Sequence, residues 1–427
     1  MLIKTLLILL ALIGLAVPIA AALGWLGLIL QFTEGSMPLH RAISDIAWQT
    51  GTDFLLVAIP MFVMLGEILL RAGITEKMYD GIVRWLGWLP GGLMHSNIGS
   101  SALFAATSGS SVATAATIGT VAIPQIKRRG YNESLFLGTI AAGGTLGILI
   151  PPSINLILYG LLTDTSVPEL YLAGFIPGFL LASLFVMTIV ILCLLKPSWG
   201  GESLKYSWAE KISSLPSLLP PLGIFFVVVG SIYAGIATPT EAASLGVIAA
   251  LILAAFNGKL SVKMLQETIE GTMRTTAMIM LIIIAAVFLN FVLSIIGLTQ
   301  FLADFVTGFG MTPMQTMLML ILILVIIGCF METLSMLLTI TPLIAPIVVA
   351  MGFDPVWFGI LLMVLLETAL ITPPIGINLY VVQGIRKNGE MLDVMRGASP
   401  FVVTMFAMIA LLLIFPELAL WLPSLFY

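Results

Sequence analysis

Two proline pairs that are each followed closely by an asparagine interrupt long apolar runs, Pro151-Pro152 in GILIPPSIN and Pro373-Pro374 in LITPPIGIN. Proline carries no N–H and disfavours helix at the residue before it. A pair inside a helix therefore leaves carbonyls of the preceding turn without partners. Such carbonyls are hard oxygen ligands suited to a small, desolvated cation, and the N-terminus of the resumed half-helix offers N–H groups and a positive dipole end to an anion. Short polar side chains gather near both breaks. SGSS (108–111) supplies Ser108, Ser110 and Ser111, METLS (331–335) supplies Glu332, Thr333 and Ser335, and the broken runs supply Thr145, Ser153, Asn155, Thr372 and Asn378.

Each feature alone has a plain structural use. A small-residue run such as 105–117 can be only a close helix contact, and one Pro-Pro pair can be only a kink. Two pairs, each following a segment with a polar centre, point to a binding site. Acids in apolar spans are costly and default to functional readings. Glu332 sits at the polar centre of its segment, and Glu367 lies six residues before Pro373. Glu241, in the ATPTEAA turn, reads as a solvated loop acid, and Glu67 and Arg71, spaced i,i+4, read as a pair.

The elements that position these residues occur twice. Pro151 recurs as Pro373 (373 − 151 = 222), and Pro124/Pro346 and Gly130/Gly352 share that offset. AGIT (72–75) pairs with IGLT (296–299), Asp80 with Asp304, and GLAVPIAA (14–21) with GIATPTEA (235–242), at nearly the same spacing. The chain thus reads as two repeats, 1–205 and 206–427. Repeat one holds scaffold helices, an amphipathic arm at 73–90, a re-entrant hairpin at 92–126 and a broken helix at 134–162. Repeat two holds scaffold helices, an arm at 257–272, a hairpin at 313–350 and a broken helix at 355–384. Irregular backbone at membrane depth is tolerated only where protein encloses it, so four elements should converge: both hairpin tips and both breaks.

Of the 427 residues, 60% are hydrophobic and 9% charged, with a mean hydropathy of +1.16. That composition defines an all-α polytopic membrane protein. No GxxxxGK[ST] loop is present, which argues against ATP hydrolysis by the chain. His40 and His95 lie far apart without spaced ligand partners, which leaves an intramembrane enzyme without its nucleophile–base or metal pair, and nothing in the pattern points to nucleic acid. Cys193 and Cys329 read as free thiols. The first residues imitate a signal peptide, but their match to 235–242 predicts that they stay in the fold. With the N-terminus outside and each hairpin reversing direction, 15 of the 17 Lys and Arg fall inside and 2 outside. The two repeats are then inverted relative to each other, with both termini periplasmic.

SGSSVATAATIG, GTIAAGGTLGILIPPSINLILYG, TPLIAPIVVAMGFDPVWFG and LITPPIGINLYV resemble the large membrane subunit of a tripartite ATP-independent periplasmic (TRAP) transporter, and the likeness spans the whole chain, GLAVPIA and ATPTEAA included. The resemblance implies a sodium-driven, elevator-type carrier in a bacterial inner membrane, with no cofactor. It would work with a small four-helix membrane subunit and a periplasmic substrate-binding protein, neither fused here, and import a small organic anion. Carried over, sodium ligands fall on Ser108, Gly109, Ser110, Gly144, Thr145 and Pro151, and on Glu332, Thr333, Ser335, Thr372 and Pro373, partly through backbone carbonyls. Substrate contacts fall on Ser110, Ser111, Ser153, Asn155, Glu332 and Asn378. Readings that stay open are a stand-alone anion/cation symporter without a binding protein, a passive channel, and proton coupling through Glu332 or Glu367.

The basic asymmetry predicts that the KRRGYN (127–132) and IRKNG (385–389) loops are cytoplasmic. A cysteine at position 131 should then resist a membrane-impermeant thiol reagent added to intact cells, and labelling there would overturn the topology.

Overall fold

The computed structural model of the chain describes residues 2–427 other than 16, 36, 203, 299 and 301–309. Thr299 and Asp304, paired above with Thr75 and Asp80, and Ala16 of GLAVPIAA lie outside the described residues. Among the described residues the chain is helical, with one isolated bridge between Tyr131 and Gly200.

Repeat one runs α1 (Leu2–Gly14), α2 (Ile19–Glu34), α3 (Ile43–Gly51), α4 (Ala58–Arg71), α5 (Ile74–Leu86), α6 (Leu93–Ser108), α7 (Ser111–Ala122), α8 (Gln125–Arg129), α9 (Glu133–Leu149), α10 (Ile154–Thr163) and α11 (Val167–Leu195). Then follow α12 (Trp208–Tyr233), α13 (Pro239–Phe256), α14 (Val262–Ile295), α15 (Pro313–Gly328), α16 (Thr333–Ala350), α17 (Pro355–Ile371), α18 (Ile377–Arg386), α19 (Met391–Ile414) and α20 (Glu417–Leu420). Six of these, α11, α12, α13, α14, α16 and α19, are long and apolar enough to cross a membrane. Two bent pairs also qualify, one ending in α4 with a 64° bend and α9–α10 with a 42° bend.

The 222-residue offset reappears in the chemistry of the helix ends. Asn132 caps α9 by accepting from the Leu135 N–H (2.9 Å), and Asp354 caps α17 by accepting from Val356 and Trp357 (2.8 and 3.0 Å). Before each cap stands a glycine with positive φ, Gly130 at +67° and Gly352 at +90°, a conformation strained for any L side chain. Helices α9 and α17 are each 17 residues long and buried nearly all round. This is why their sequences show no polar face.

The hairpin segments form as helix–turn–helix units. Gly109, at φ +59°, separates α6 from α7, and both helices pack on α9. Residues 329–332 separate α15 from α16. The repeats then interlock crosswise. The second helix of the first hairpin, α7, packs on α18, while the second helix of the other hairpin, α16, packs on α10. Beside this core, α2, α4, α13 and α14 pack on one another. Arg71 pairs with Glu67 on α4 and reaches Glu267 on α14 (3.7 Å), tying two scaffold helices together.

The two arms differ. The first is α5, which buries Ile74, Met78, Tyr79, Ile82 and Val83 and packs on α6 and α12. The second, expected at 257–272, is not a separate helix. After a short turn, Ser261 caps α14 by accepting from the Met264 N–H (3.1 Å), and α14 continues unbroken to Ile295. No glycine or proline interrupts 272–295, so nothing ends the helix where the charges give way to apolar residues. Between α11 and α12 the chain folds back on repeat one. Trp199 O accepts from the Asn132 N–H (3.2 Å), and Leu204 N–H donates to Gly87 O (3.2 Å).

Tyr131 is buried, and its hydroxyl accepts from the Leu93 N–H (2.9 Å). A cysteine there would be silent for want of access, so the topology test belongs on exposed Arg128. Arg128→Cys should react with an impermeant reagent only after the membrane is opened. A second prediction concerns the crossing of α9 and α19. Added Cβ atoms at Gly138 and Gly397 would overlap the carbonyls of Gly397 and Ser134. Gly397→Ala should cost about 1–3 kcal/mol through overpacking and lower the melting temperature in detergent, and an unchanged melt would refute this contact.

Candidate functional site

A cavity of about 680 Å³ opens between the interlocked repeats and the scaffold. The first hairpin tip contributes Ser108, Gly109, Ser110 and Ser111, and the second contributes Glu332, Thr333 and Leu334. The first break contributes Ile148, Ile154 and Asn155, and the second Leu370 and Ile377. Scaffold helices close the other side with Gly66 and Glu67 from α4 and Thr275 and Ile282 from α14. All four expected elements therefore meet at one place. The wall is mostly apolar, with its polar groups concentrated at the tips.

Each tip ends in a residue that caps the next helix. Ser110 Oγ accepts from the Ala113 N–H (3.4 Å) at the start of α7. Glu332, at the equivalent position (332 − 110 = 222), caps α16 by accepting from the Ser335 N–H (3.0 Å) and hydroxyl (3.1 Å). The equivalent cap is thus a neutral hydroxyl in one repeat and a carboxyl group in the other. Among the described residues neither Lys nor Arg lines the cavity; its acids are Glu332 and Glu67, the latter already paired with Arg71.

The first tip is seated on its break through glycines. A Cβ at Gly147 would lie 2.7 Å from the Ser111 nitrogen and 2.8 Å from the Ser110 carbonyl oxygen, and one at Gly109 would lie 3.0 Å from the Pro152 carbonyl oxygen. Only the bare backbone fits. Ser111 Oγ donates to Thr145 O (3.3 Å), and Thr145 Oγ1 donates to Ala142 O (2.7 Å). Asn378, from repeat two, donates its Nδ2 to Ala141 O (3.2 Å) and lies 3.0 Å from where a Cβ on Gly144 would be. The carbonyls of Gly147 and Ile148 would seek N–H groups from Pro151 and Pro152, which have none. Ser153 caps α10, accepting from the Leu156 N–H (3.4 Å), and is buried together with Pro151 and Pro152.

The second break is arranged differently. Pro373, Pro374 and Ile375 are exposed, whereas Pro151, Pro152 and Ser153 are buried. Thr372 Oγ1 turns back to Thr368 O (2.6 Å). PPIGIN also has one residue more than PPSIN between the proline pair and the asparagine, so Gly376, at φ +54°, starts α18 where Ser153 caps α10.

Of the expected site residues, the cavity brings together Ser108, Gly109, Ser110, Ser111, Asn155, Glu332 and Thr333. Gly144, Thr145, Pro151, Ser153 and Asn378 lie behind that wall, Ser335 is held by Glu332, and Thr372 and Pro373 stand at the exposed break. The sequence reading missed the scaffold side. Glu67 was assigned only to its pair with Arg71, and Gly66 and Thr275 carry no signal beyond a small or polar residue in an apolar run. Gly147, which seats the tip, was also missed; its i,i+3 spacing from Gly144 is the signal that could have found it.

The family described as "Tripartite ATP-independent periplasmic transporter, DctM component" matches residues 6–418. The C4-dicarboxylate TRAP transporter large permease protein DctM of Rhodobacter capsulatus is 33% identical, over 98% of this chain and 98% of that one. The sialic acid TRAP transporter large permease protein SiaM of Vibrio cholerae is 32% identical, over 88% and 87%. Among solved structures, the YdaH transporter of Alcanivorax borkumensis superposes with a TM-score of 0.64 at 16% identity, over 92% of this chain and 90% of that one, a likeness of fold.

Gly147→Ala places a methyl group against the backbone of Ser110 and Ser111. The variant should insert and remain monodisperse, because the tip can lift, but lose solute uptake. Wild-type uptake by this variant would show that the tip need not be seated on α9.

Proposed function

The chain belongs to the DctM component family of tripartite ATP-independent periplasmic transporters, and from that premise we propose that it imports a small organic anion, a carboxylate or similar, by sodium symport across the bacterial inner membrane. It is a transporter permease, not an enzyme. A periplasmic binding protein delivers the solute, and a small four-helix membrane subunit completes the assembly. The hairpins and broken helices form the moving unit, which travels in elevator fashion against the α2, α4, α13 and α14 scaffold, with the repeats inverted and both termini periplasmic.

The observation that supports this reading is a cavity joining both tips and the helix ends at both breaks without a lysine or arginine among the described residues. An anion there has no side-chain cation to meet it. The N-termini of α7 and α10 supply partial positive charge, and co-bound sodium supplies the rest. The donors fit that ion, being hydroxyls, backbone carbonyls and one carboxylate, all hard oxygens. Sodium would be held at the first break by Ser108, Gly109, Ser110, Gly144, Thr145 and Pro151, and at the second by Glu332, Thr333, Ser335, Thr372 and Pro373. Substrate would meet Ser110, Ser111, Ser153, Asn155, Glu332 and Asn378. Each net positive charge that enters down 100 mV adds about 2.3 kcal/mol of driving force.

The test is uptake into liposomes carrying the chain with its membrane partner and binding protein, with and without a sodium gradient. Uptake that ignores sodium would overturn the coupling. Glu332→Gln keeps the shape of the cap and removes its charge. Loss of a charge-assisted contact of roughly 1.5–3 kcal/mol should raise the sodium needed for half-maximal uptake by about ten- to a hundred-fold. A changed pH profile at unchanged sodium dependence would assign Glu332 to proton transfer instead, and two wild-type curves would make it purely a cap.

A further inference from the structure

A second pocket, of about 200 Å³, shares no residue with the cavity. It lies between α5, α8, the start of α6 and the chain that leads into α12, and its polar lining includes Asp80, Arg84, Gln125, Arg129 and Tyr206. Its arginines stand apart from the rest. Of the eight arginines, Arg71, Arg84, Arg129 and Arg386 are half-buried, and Arg41, Arg128, Arg274 and Arg396 are exposed to be solvated. Arg71 and Arg386 each hold two acids. Among the described residues Arg84 and Arg129 hold none, and both line this pocket. Arg84 donates to Glu210 O (3.4 Å) and Ser213 Oγ (3.2 Å), neutral acceptors that fix the guanidinium and leave its charge unmatched. Asp80, four residues before Arg84, stands exposed at the rim and forms an ion pair with neither arginine among the described residues. Half-buried Gln125 and Tyr206 add an amide and a hydroxyl as neutral donors.

The pocket opens beside an aromatic cluster. Trp88 and Trp208, both exposed, flank Lys211, whose Nζ lies 6.0 and 5.0 Å from their ring centres, and Trp85 meets Trp208 edge-on at 6.4 Å. These rings sit on the end of α5 and the start of α12, the two elements that Arg84 joins. Tryptophan gathers at headgroup depth in a bilayer, where one side of the ring is apolar and the other wet. The volume is below the roughly 300–1,000 Å³ of sites that enclose a drug-sized ligand, so a headgroup fits and acyl chains stay outside. Two guanidiniums and one carboxylate leave a single positive charge to be matched. A phosphodiester carries one negative charge and has oxygens for both arginines. A free phosphate or monoester carries more negative charge at neutral pH, which Asp80 opposes.

We propose that this pocket binds the phosphodiester group of a membrane phospholipid, with Arg84 and Arg129 on its oxygens and Asp80 accepting from a donor at the far end of the headgroup. This goes beyond the transport reading and needs only that the chain lie in a membrane. The test is native mass spectrometry of the purified full-length chain, delipidated in detergent and titrated with phosphatidylethanolamine, phosphatidylcholine or inorganic phosphate. Phosphatidylethanolamine should bind wild type, and Arg84→Gln and Arg129→Gln should each weaken the first binding step about ten- to a hundred-fold. Undiminished binding would overturn the proposal. Arg274→Gln and Arg396→Gln remove the same charge from exposed positions and should change nothing; an equal loss in these would reduce the effect to overall charge and overturn the site. Phosphatidylcholine has the same charges without the ammonium N–H donors, so it should bind about tenfold more weakly, and Asp80→Ala should close that gap. Equal binding of the two lipids to wild type would remove Asp80 from the site. Displacement of the lipid by millimolar inorganic phosphate would mark a soluble-anion site and overturn the lipid assignment. Thermal melts check that each variant is folded. If Arg129→Gln is not, Arg129→Lys is read in its place: it keeps the charge without the planar fork and should still bind the lipid several-fold more weakly than wild type.

Discussion

Everything in this chain is arranged around backbone that cannot complete its own hydrogen bonds. Pro151, Pro152, Pro373 and Pro374 each remove an N–H from the backbone where a helix is interrupted, the first pair buried and the second exposed. In lipid, such a defect is tolerated only if protein surrounds it or if it faces a cavity. The first break is sealed by a hairpin tip with almost no side chain of its own, Gly109 against Pro152 O and the Ser110–Ser111 backbone against Gly147. Close approach of bare backbone explains Gly144 and Gly147, while Gly138 and Gly143 of the same helix admit α19 and α6 instead.

From that constraint the crosswise packing follows. A broken helix has two short halves, and neither can bury itself alone. Helix α10 finds its partner in α16 of the other repeat, and α18 finds its partner in α7. The consequence is chemical as well as mechanical. The halves that resume after the breaks start at the same cavity as the tips, so helix N-termini and hydroxyls share one cleft. Asn378 crosses the boundary directly to Ala141 O, so displacing one break is felt by the helix that carries the other.

Much of this was legible because the repeat is carried by residues with one conformational job each. Gly130 and Gly352 take positive φ, Asn132 and Asp354 cap helices, and Ser110 and Glu332 do the same at the tips, all at one offset. Such positions keep their spacing because backbone geometry selects them. The misreadings fall where no such residue stands. The second arm was drawn from charge content at 257–272, but helical continuity is set by breakers, and the first glycine after 272 is Gly297. Tyr131 sits in a loop rich in charge yet is buried, because its hydroxyl is needed at the Leu93 N–H. The scaffold wall of the cavity was not seen at all. Gly66, Glu67 and Thr275 become part of it only through tertiary packing, and no local pattern encodes that.

The two breaks, alike in sequence, are unlike in setting. PPSIN is buried and its serine caps α10; PPIGIN carries an extra residue, leaves Pro373 through Ile375 exposed, and starts α18 from an uncapped glycine. Ser110 faces one cap position and Glu332 the other. The two breaks are thus finished with different chemistry: the first closed, neutral and glycine-seated, the second open with an acidic tip beside it. The two breaks therefore offer different chemistry to whatever enters the cavity: bare backbone and hydroxyls on one side, a carboxyl group on the other.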